Sequence, residues 1–434
     1  MNPANLLTKR HWIVELAREK PAEVLFSLHH VIDFEWMREA YWLTRKDGAT
    51  GIDGVTAREY EANLEANLKD LRERIITGRY KAPPVRRTHI PKADGTQRPL
   101  GIPTFEDKVA QRAIAMVLEA IYEQDFLSCS YGFRPGRSAH QALRGLRGAI
   151  MSRQHWVLDV DIRKYFDSIP HQELRATLDQ RVTDGVIRRM IGKWLKAGVL
   201  EEGRLHFATE GTPQGGVISP ILSNIFLHHV LDVWFENEVR PRLSGEATLV
   251  RFADDFVMTF ETHHDAQRVL EVLGKRLGRF GLTLHPDKTR FIDFRPQRRD
   301  GTHADCKDPP FDFLGFTHTW GKSRNGKNVV RQKTAKNRFA RALLAVKDWC
   351  RTNRHRPILD QLARLSAKLG GHFAYYGITG NSRRLQQYHH EVTKTWRKWL
   401  ARRTRSKRLP WDRFNAFLVR HPLPPAKLVH RYAT

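Results

Sequence analysis

The chain has 434 residues, 41% hydrophobic and 28% charged, with a formal net charge of +27 at pH 7. That length allows two or three domains with their own cores, and the charge points to a polyanionic partner, of which nucleic acid is the commonest. Three scattered cysteines, Cys129, Cys306 and Cys350, exclude a disulfide framework and a CxxC zinc site, and no apolar run approaches the roughly 20 residues that span a bilayer. The opening "MNPANLLTKRHWIVELAREK" lacks a signal-peptide core and carries Glu15 and Glu19. A soluble protein of a reducing, intracellular compartment is expected, with no membrane and no zinc.

Residues 1–80 read mainly helical, with Leu64, Leu68, Leu71 and Ile75 at helical spacing and Gly78 as a stop. "APPVRRTHIPKADGTQRPLGIP" is too rich in proline for a helix, and its "ADGT" is a hairpin turn between short extended runs. Helical patterning returns from about Glu106 to Tyr122. The loop "SYGFRPGRSAHQAL", the strand "HWVLDVDI", a helical stretch to about Leu200 and the Gly-rich corner "EGTPQGGVISP" follow. That corner opens the apolar helix "ILSNIFLHHVLDVWF". Next come the hairpin "LVRFADDFVMTF", a helix over "HDAQRVLEVLGKRLGRFG", and short strands in "TRFIDF" and "FDFLGFTHT". Strands and helices alternate between about 155 and 320 without Rossmann glycines, which favours an α+β domain over a doubly wound sheet.

Composition shifts near 320–335. Residues 321–434 hold 28 Lys+Arg against 4 Asp+Glu, leaving 46 against 43 in the first 320 residues. In "AKNRFARALLAVKDWC", Phe339, Leu343, Val346 and Cys350 share a helical face, as do Tyr388, Val392, Trp396 and Trp399 further on. Basic residues occupy the remaining faces. Such a segment repels itself without a polyanion, and a large structured RNA is its natural ligand, through phosphate contacts and stacking on unpaired bases.

The acidic residues are few and oddly placed. Period-two alternation puts Val157, Asp159 and Asp161 on one face of the strand "WVLDVDI", where an acid costs free energy unless paired. Asp254 and Asp255 pose the same problem at the tip between two apolar strands. A polar turn plus one exposed strand acid is the plain reading. The alternative is that strand and tip lie together and share Mg²⁺, three carboxylates holding two metals as phosphoryl-transfer enzymes do.

The blocks around these acids, in their order, resemble the reverse transcriptase/maturase proteins encoded by group II introns. "FADD" looks like that family's YADD box and "DIRKYF" like its first carboxylate motif. "HIPKADGTQRPLGIP", "SYGFRPGRS", "GTPQGGVISPILSN", "LTLHPDKT" and "FDFLGF" look like its other blocks. "GHFAYYGITGNSRRLQQYHHEVTKTWRKWL" resembles the maturase-specific X domain. The resemblance implies a metal triad of Asp161, Asp254 and Asp255, with the Ile162 carbonyl as a further ligand. Asp159 competes for the first position. The family places an aromatic five residues after the catalytic acid, which gives Phe166 from Asp161 and only Lys164 from Asp159.

Phe166 is then expected under the sugar, rejecting a ribose 2′-OH. Lys92 and Arg98 flank the "ADGT" turn as a clamp on the triphosphate. Pro213, Gln214 and Gly215 meet the incoming nucleotide, Lys288 acts near the leaving pyrophosphate as a general acid, and Gly315 supports the primer. The sequence departs from the family in Phe252, which stands where a tyrosine is common.

The fold implied is a right-hand polymerase, α+β. It has an N-terminal extension and fingers in 1–150, a palm in 151–320, and a basic helical thumb with the X extension in 321–434. The function implied is an RNA-directed DNA polymerase that copies an RNA template from a DNA primer with dNTPs, binds its intron RNA and assists splicing and mobility. A splicing maturase with a silent polymerase, and a reverse transcriptase diverted to defence or CRISPR spacer acquisition, are the competing readings. A bacterial cytoplasm or nucleoid is the expected location. The chain ends at "LPPAKLVHRYAT" without the Cys/His-rich endonuclease of some family members, so second-strand nicking is not expected.

Overall fold

A computed structural model of the chain describes all residues except 1–2, 22, 92–94, 96, 202–203, 207–210, 212–214, 297–309, 324, 404–407 and 433–434. Two compact units emerge: residues 1–142 with 158–290, and residues 143–157 with 291–434.

Eight strands begin in or border the first unit: β1 (Val85–Pro91), β2 (Gln97–Ile102), β3 (Trp156–Val160), β4 (Val199–Glu201), β5 (Arg204–His206), β6 (Ala247–Phe252), β7 (Asp255–Phe260) and β8 (Arg290–Asp293). β1 and β2 form the expected antiparallel hairpin, with Ile90 opposite Arg98. β1 also pairs in parallel with β4, giving the order β2-β1-β4-β5. The three-residue strands β4 and β5 replace the end of the helical stretch expected to reach Leu200; the helix Gly185–Leu195 stops before Gly198, which has φ +76°. A second sheet has the order β6-β7-β3-β8.

The helix Phe105–Asp125 is capped by the Thr104 side chain, which accepts from the Asp107 N–H. Fourteen of its 21 residues are buried, so it forms the centre of the unit rather than an amphipathic cover. Helices Pro3–Glu19 and Phe34–Leu43 pack on it. The apolar helix Ser219–Leu227 continues through two π-helical turns, His228–Asp232 and Phe235–Val239.

The second unit contains β9 (Phe311–Phe313), β10 (Phe316–Lys322) and β11 (Asn328–Thr334), ordered β11-β10-β9. Four helices follow: Lys336–Thr352, Ile358–Tyr376, Ser382–Ala401 and Trp411–Arg420. Phe339, Val346 and Cys350, and Tyr388, Val392 and Trp396, are buried in one apolar cluster, with Leu343 and Trp399 packed against it. The fourth helix was not legible as a separate element, yet its Phe414 joins the same cluster and packs edge-on against Trp396 at 5.5 Å. Among the described residues, no helix is long and apolar enough to cross a membrane.

Candidate active site

The hairpin of β6 and β7 is closed by two residues, Ala253 and Asp254, with Phe252 opposite Asp255. Ala253 is held at φ +60°, a conformation that costs a residue bearing a Cβ about 1 kcal/mol or more. Two features hold it there. Arg251, fully buried, donates from Nη1 to the Ala253 carbonyl at 3.0 Å. Gly132, in the "SYGFRPGRS" loop, lies so close that a Cβ there would sit 2.3 Å from the Ala253 nitrogen. The same loop joins the hairpin's backbone, since Arg251 N–H donates to the Cys129 carbonyl and Tyr131 N–H to the Arg251 carbonyl, both at 2.8 Å.

Arg251 is itself fixed by a buried network. Its Nε donates to Asp232 Oδ1 at 2.7 Å, Nη2 to Oδ2 at 2.5 Å, and Nη1 to the Asn224 side-chain oxygen at 3.0 Å. Asn224 in turn donates to the Gly132 carbonyl at 2.8 Å. Burial pushes the Asp232 carboxyl up, but Arg251 and His228 outweigh it and hold the group below the usual range. The tip carrying Asp254, half-buried, and Asp255, exposed, thus rests on an ion pair that sequence reading missed. The available signal was a charge inside each apolar run, Arg251 in "LVRF" and Asp232 in "VLDVWF", because a buried charge demands a partner.

Asp161 follows β3, the neighbour of β7 in the sheet. Its carbonyl accepts from the His285 N–H at 2.8 Å, and its carboxylate pairs with Lys288 Nζ at 2.9 Å. Asp159, the competitor, is ion-paired with Arg290 Nη2 at 2.5 Å. Ile162 is buried and bridges Leu284 in antiparallel fashion. Phe166 is half-buried, with its ring edge-on to Tyr165 at 5.2 Å. The Tyr165 hydroxyl donates to the Ser223 carbonyl at 2.9 Å. Phe252 is half-buried, 6.5 Å from the exposed Phe133 ring.

Lys92, Pro213 and Gln214 lie outside the described residues, as does Cys306. Arg98 sits in β2 opposite Ile90, and its side chain is not among those described. Gly215, at φ +109°, approaches the backbone of β2: a Cβ there would be 2.6 Å from the Gly101 carbonyl oxygen. In the second unit, Leu314 and Gly315, at φ +49° and +78°, form the turn between β9 and β10, and the Tyr375 hydroxyl donates to the Leu314 carbonyl at 2.9 Å.

Hard carboxylates on adjacent strands are the donor type that a divalent cation takes. Among the described residues, however, no group of three His, Cys, Asp or Glu side chains is arranged to hold a metal ion. The counter-charge on Asp161 comes instead from Lys288.

Residues 90–318 match the reverse transcriptase (RNA-dependent DNA polymerase) family. Protein YkfC of Escherichia coli K12 is 34% identical over 352 residues, which cover 72% of this chain and 88% of that protein. The group II intron-encoded protein LtrA of Lactococcus lactis subsp. cremoris is 39% identical over 214 residues, 48% of this chain and 36% of its own length. An uncharacterized 91 kDa protein in the cob intron of Schizosaccharomyces pombe is 47% identical over 154 residues, 36% of this chain and 19% of its own. The present chain therefore spans most of the first relative and well under two thirds of the other two. It belongs to the reverse transcriptase family, and the relatives it resembles include a group II intron-encoded protein. With the family comes the α+β right-hand polymerase fold class expected from the motifs, together with a helical C-terminal region.

Proposed function

We propose that the protein is an RNA-directed DNA polymerase of a group II intron, extending a DNA primer on an RNA template and binding its intron RNA to assist splicing. The observation that carries this reading is that Asp161 follows β3 while Asp254, in the turn, and Asp255, the first residue of β7, lead into the neighbouring strand, all inside the stretch matched to the family. The primer 3′-hydroxyl attacks the α-phosphate of a dNTP, the new P–O bond forms as the bond to pyrophosphate breaks, and the hydroxyl proton passes to solvent water.

Asp161, Asp254, Asp255 and the Ile162 carbonyl are the groups that would hold Mg²⁺, which when bound supplies positive charge against the charge developing on the phosphate. Lys288 Nζ, beside Asp161 at 2.9 Å, is the proton donor to the leaving pyrophosphate. The Phe166 ring excludes a 2′-hydroxyl from the sugar site. Lys92 and Arg98 take the triphosphate, Pro213, Gln214 and Gly215 meet the nucleotide, and the Gly315 turn supports the primer. The concentration of charge in residues 321–434, 28 basic against 4 acidic, supports binding of a structured RNA by the second unit and its flanks.

Primer extension on an RNA template with dNTPs and Mg²⁺ tests the reading. Wild type extends, and Asp254→Ala loses about 10²- to 10³-fold, on the scale of removing an electrostatic stabiliser from a transition state. Wild type that binds intron RNA tightly without extending any primer would favour the silent-polymerase maturase instead.

A further inference from the structure

A cleft of about 650 Å³ opens in the first unit, and Asp159, Asp161, Asp254 and Asp255 are not among its lining residues. It is lined by Tyr80–Ala82 and Pro84, by the end of the helix His171–Asp179, and by one face of the helix Gly185–Leu195 with Lys196 and Ala197. Its lining residues run directly into two paired strands, Pro84 into β1 and Ala197 by way of Gly198 into β4, with Val85 opposite Val199. The cleft is thus anchored where the two inner strands of a sheet begin.

The charge of the lining is one-sided. Lys81, Arg175, Arg188, Arg189, Lys193 and Lys196 face a single acid, Asp179, and that acid is already paired with Arg188 at 2.7 Å. Among the described residues no carboxylate ion-pairs with the other five. Arg189 and Lys193 stand four apart on the helix Gly185–Leu195, with Lys196 at its C-cap, a like-charge spacing that an anion would relieve.

The cations are also held in place. Arg189 Nη2 donates to the Ile76 carbonyl at 3.1 Å and Lys193 Nζ to the Gly78 carbonyl at 2.7 Å. Arg175 lies across the second helix at Gly192, where a Cβ would come within 2.6 Å of its Nη2. A buried glycine inside a helix costs about 1 kcal/mol against alanine, and here the missing side chain makes the seat for a guanidinium. The Nε of Arg175 is buried without a hydrogen-bond partner. Burial, and then Arg189, hold the Lys193 ammonium below its ordinary pKa, the direction expected where cations crowd without a counter-ion.

We infer that this cleft is a phosphate-binding site, separate from the polymerase residues, that takes the sugar–phosphate backbone of a nucleic acid or a free polyphosphate. Fixed guanidinium and ammonium groups suit the oxygens.

The test uses the full chain and two probes, fluorescein-labelled oligouridylate and tripolyphosphate. The variant Lys81→Gln/Lys196→Gln removes two exposed charges of the cleft. Arg268→Gln/Lys275→Gln removes two exposed charges from the helix His263–Arg279 as a control. If the occupant is a nucleic acid, the cleft variant binds oligouridylate about tenfold more weakly than wild type. Its plot of log affinity against log salt is then shallower by about 1.4, at roughly 0.7 per phosphate contact on a single strand, and the control matches wild type. If the occupant is a small polyphosphate, tripolyphosphate raises the melting temperature of wild type and of the control but not of the cleft variant, with oligouridylate binding unchanged. Equal losses in both variants, or no difference on either probe, would overturn the assignment.

Discussion

Two buried carboxylates in the first unit are handled in opposite ways. Asp232 faces a cation, with both its oxygens taken by Arg251, and its pKa is held down. Asp107 meets only neutral donors: the Tyr80 hydroxyl at 2.5 Å, the Trp194 indole at 2.6 Å and the Gln111 amide at 2.9 Å. Burial dominates there and pushes its pKa from 3.8 to about 6. The first arrangement keeps its charge and fixes the aspartate-bearing turn. The second remains titratable, and through Gln111, which accepts from the Ile218 N–H at 3.2 Å, it reaches the start of the helix after the Gly-rich corner.

The largest effect is expected from breaking the charged arrangement. Arg251→Met leaves Asp232 buried without its guanidinium partner and should cost about 3–5 kcal/mol, read from urea denaturation. Adding Asp232→Leu should restore most of that stability, because an apolar pair of similar volume replaces a buried ion pair at little cost. Primer extension should stay low in the double variant, since the Ala253 carbonyl has lost its donor. A double variant that extends as wild type does would show that the network serves stability alone and not the placement of Asp254.

Asp107→Asn probes the other arrangement and should act in the opposite sense. A carboxyl whose folded pKa is raised stabilises the fold fully below its unfolded pKa of 3.8, and that contribution is lost as pH rises through about 6. The stability of Asp107→Asn relative to wild type should therefore improve by about 2 to 3 kcal/mol between pH 4 and pH 7, at roughly 1.4 kcal/mol per pKa unit. Denaturation curves of both proteins across that range decide the matter. A difference that does not change with pH would mean that the three donors keep Asp107 ionised.

The same comparison explains which parts of the molecule were legible in the sequence. Periodicity located the β6–β7 hairpin, the helix after it and the apolar faces built on Phe339 and Tyr388, because alternation and 3.6-residue spacing are written locally. Two short strands, β4 and β5, left no such signal, since three residues give no period and β4 exists by pairing with the distant β1. Asp254 and Asp255 stood out as paired acids. Arg251, Asp232, Asn224 and Gly132 did not, because their meaning lies in contacts across 19 to 27 or more residues of chain. The choice between Asp159 and Asp161 rested on family spacing, and the structure adds a physical difference: Asp159 is the less exposed of the two and faces Arg290, while Asp161 faces Lys288.

That last pair gives the smallest effect on stability and the sharpest question about chemistry. Lys288 and Asp161 are 62% and 38% exposed, so Lys288→Ala should change stability by less than about 1 kcal/mol. Extension should nevertheless fall, by about 10²-fold if Lys288 gives a proton to the leaving pyrophosphate. Lys288→Arg separates charge from proton transfer, because a guanidinium keeps the positive charge but does not release a proton near neutral pH. Rescue by arginine to near wild-type rates would mean that Lys288 acts only as a counter-charge to Asp161. If arginine is as slow as alanine while the two variants bind template-primer equally well, the proton at Nζ is what the reaction uses.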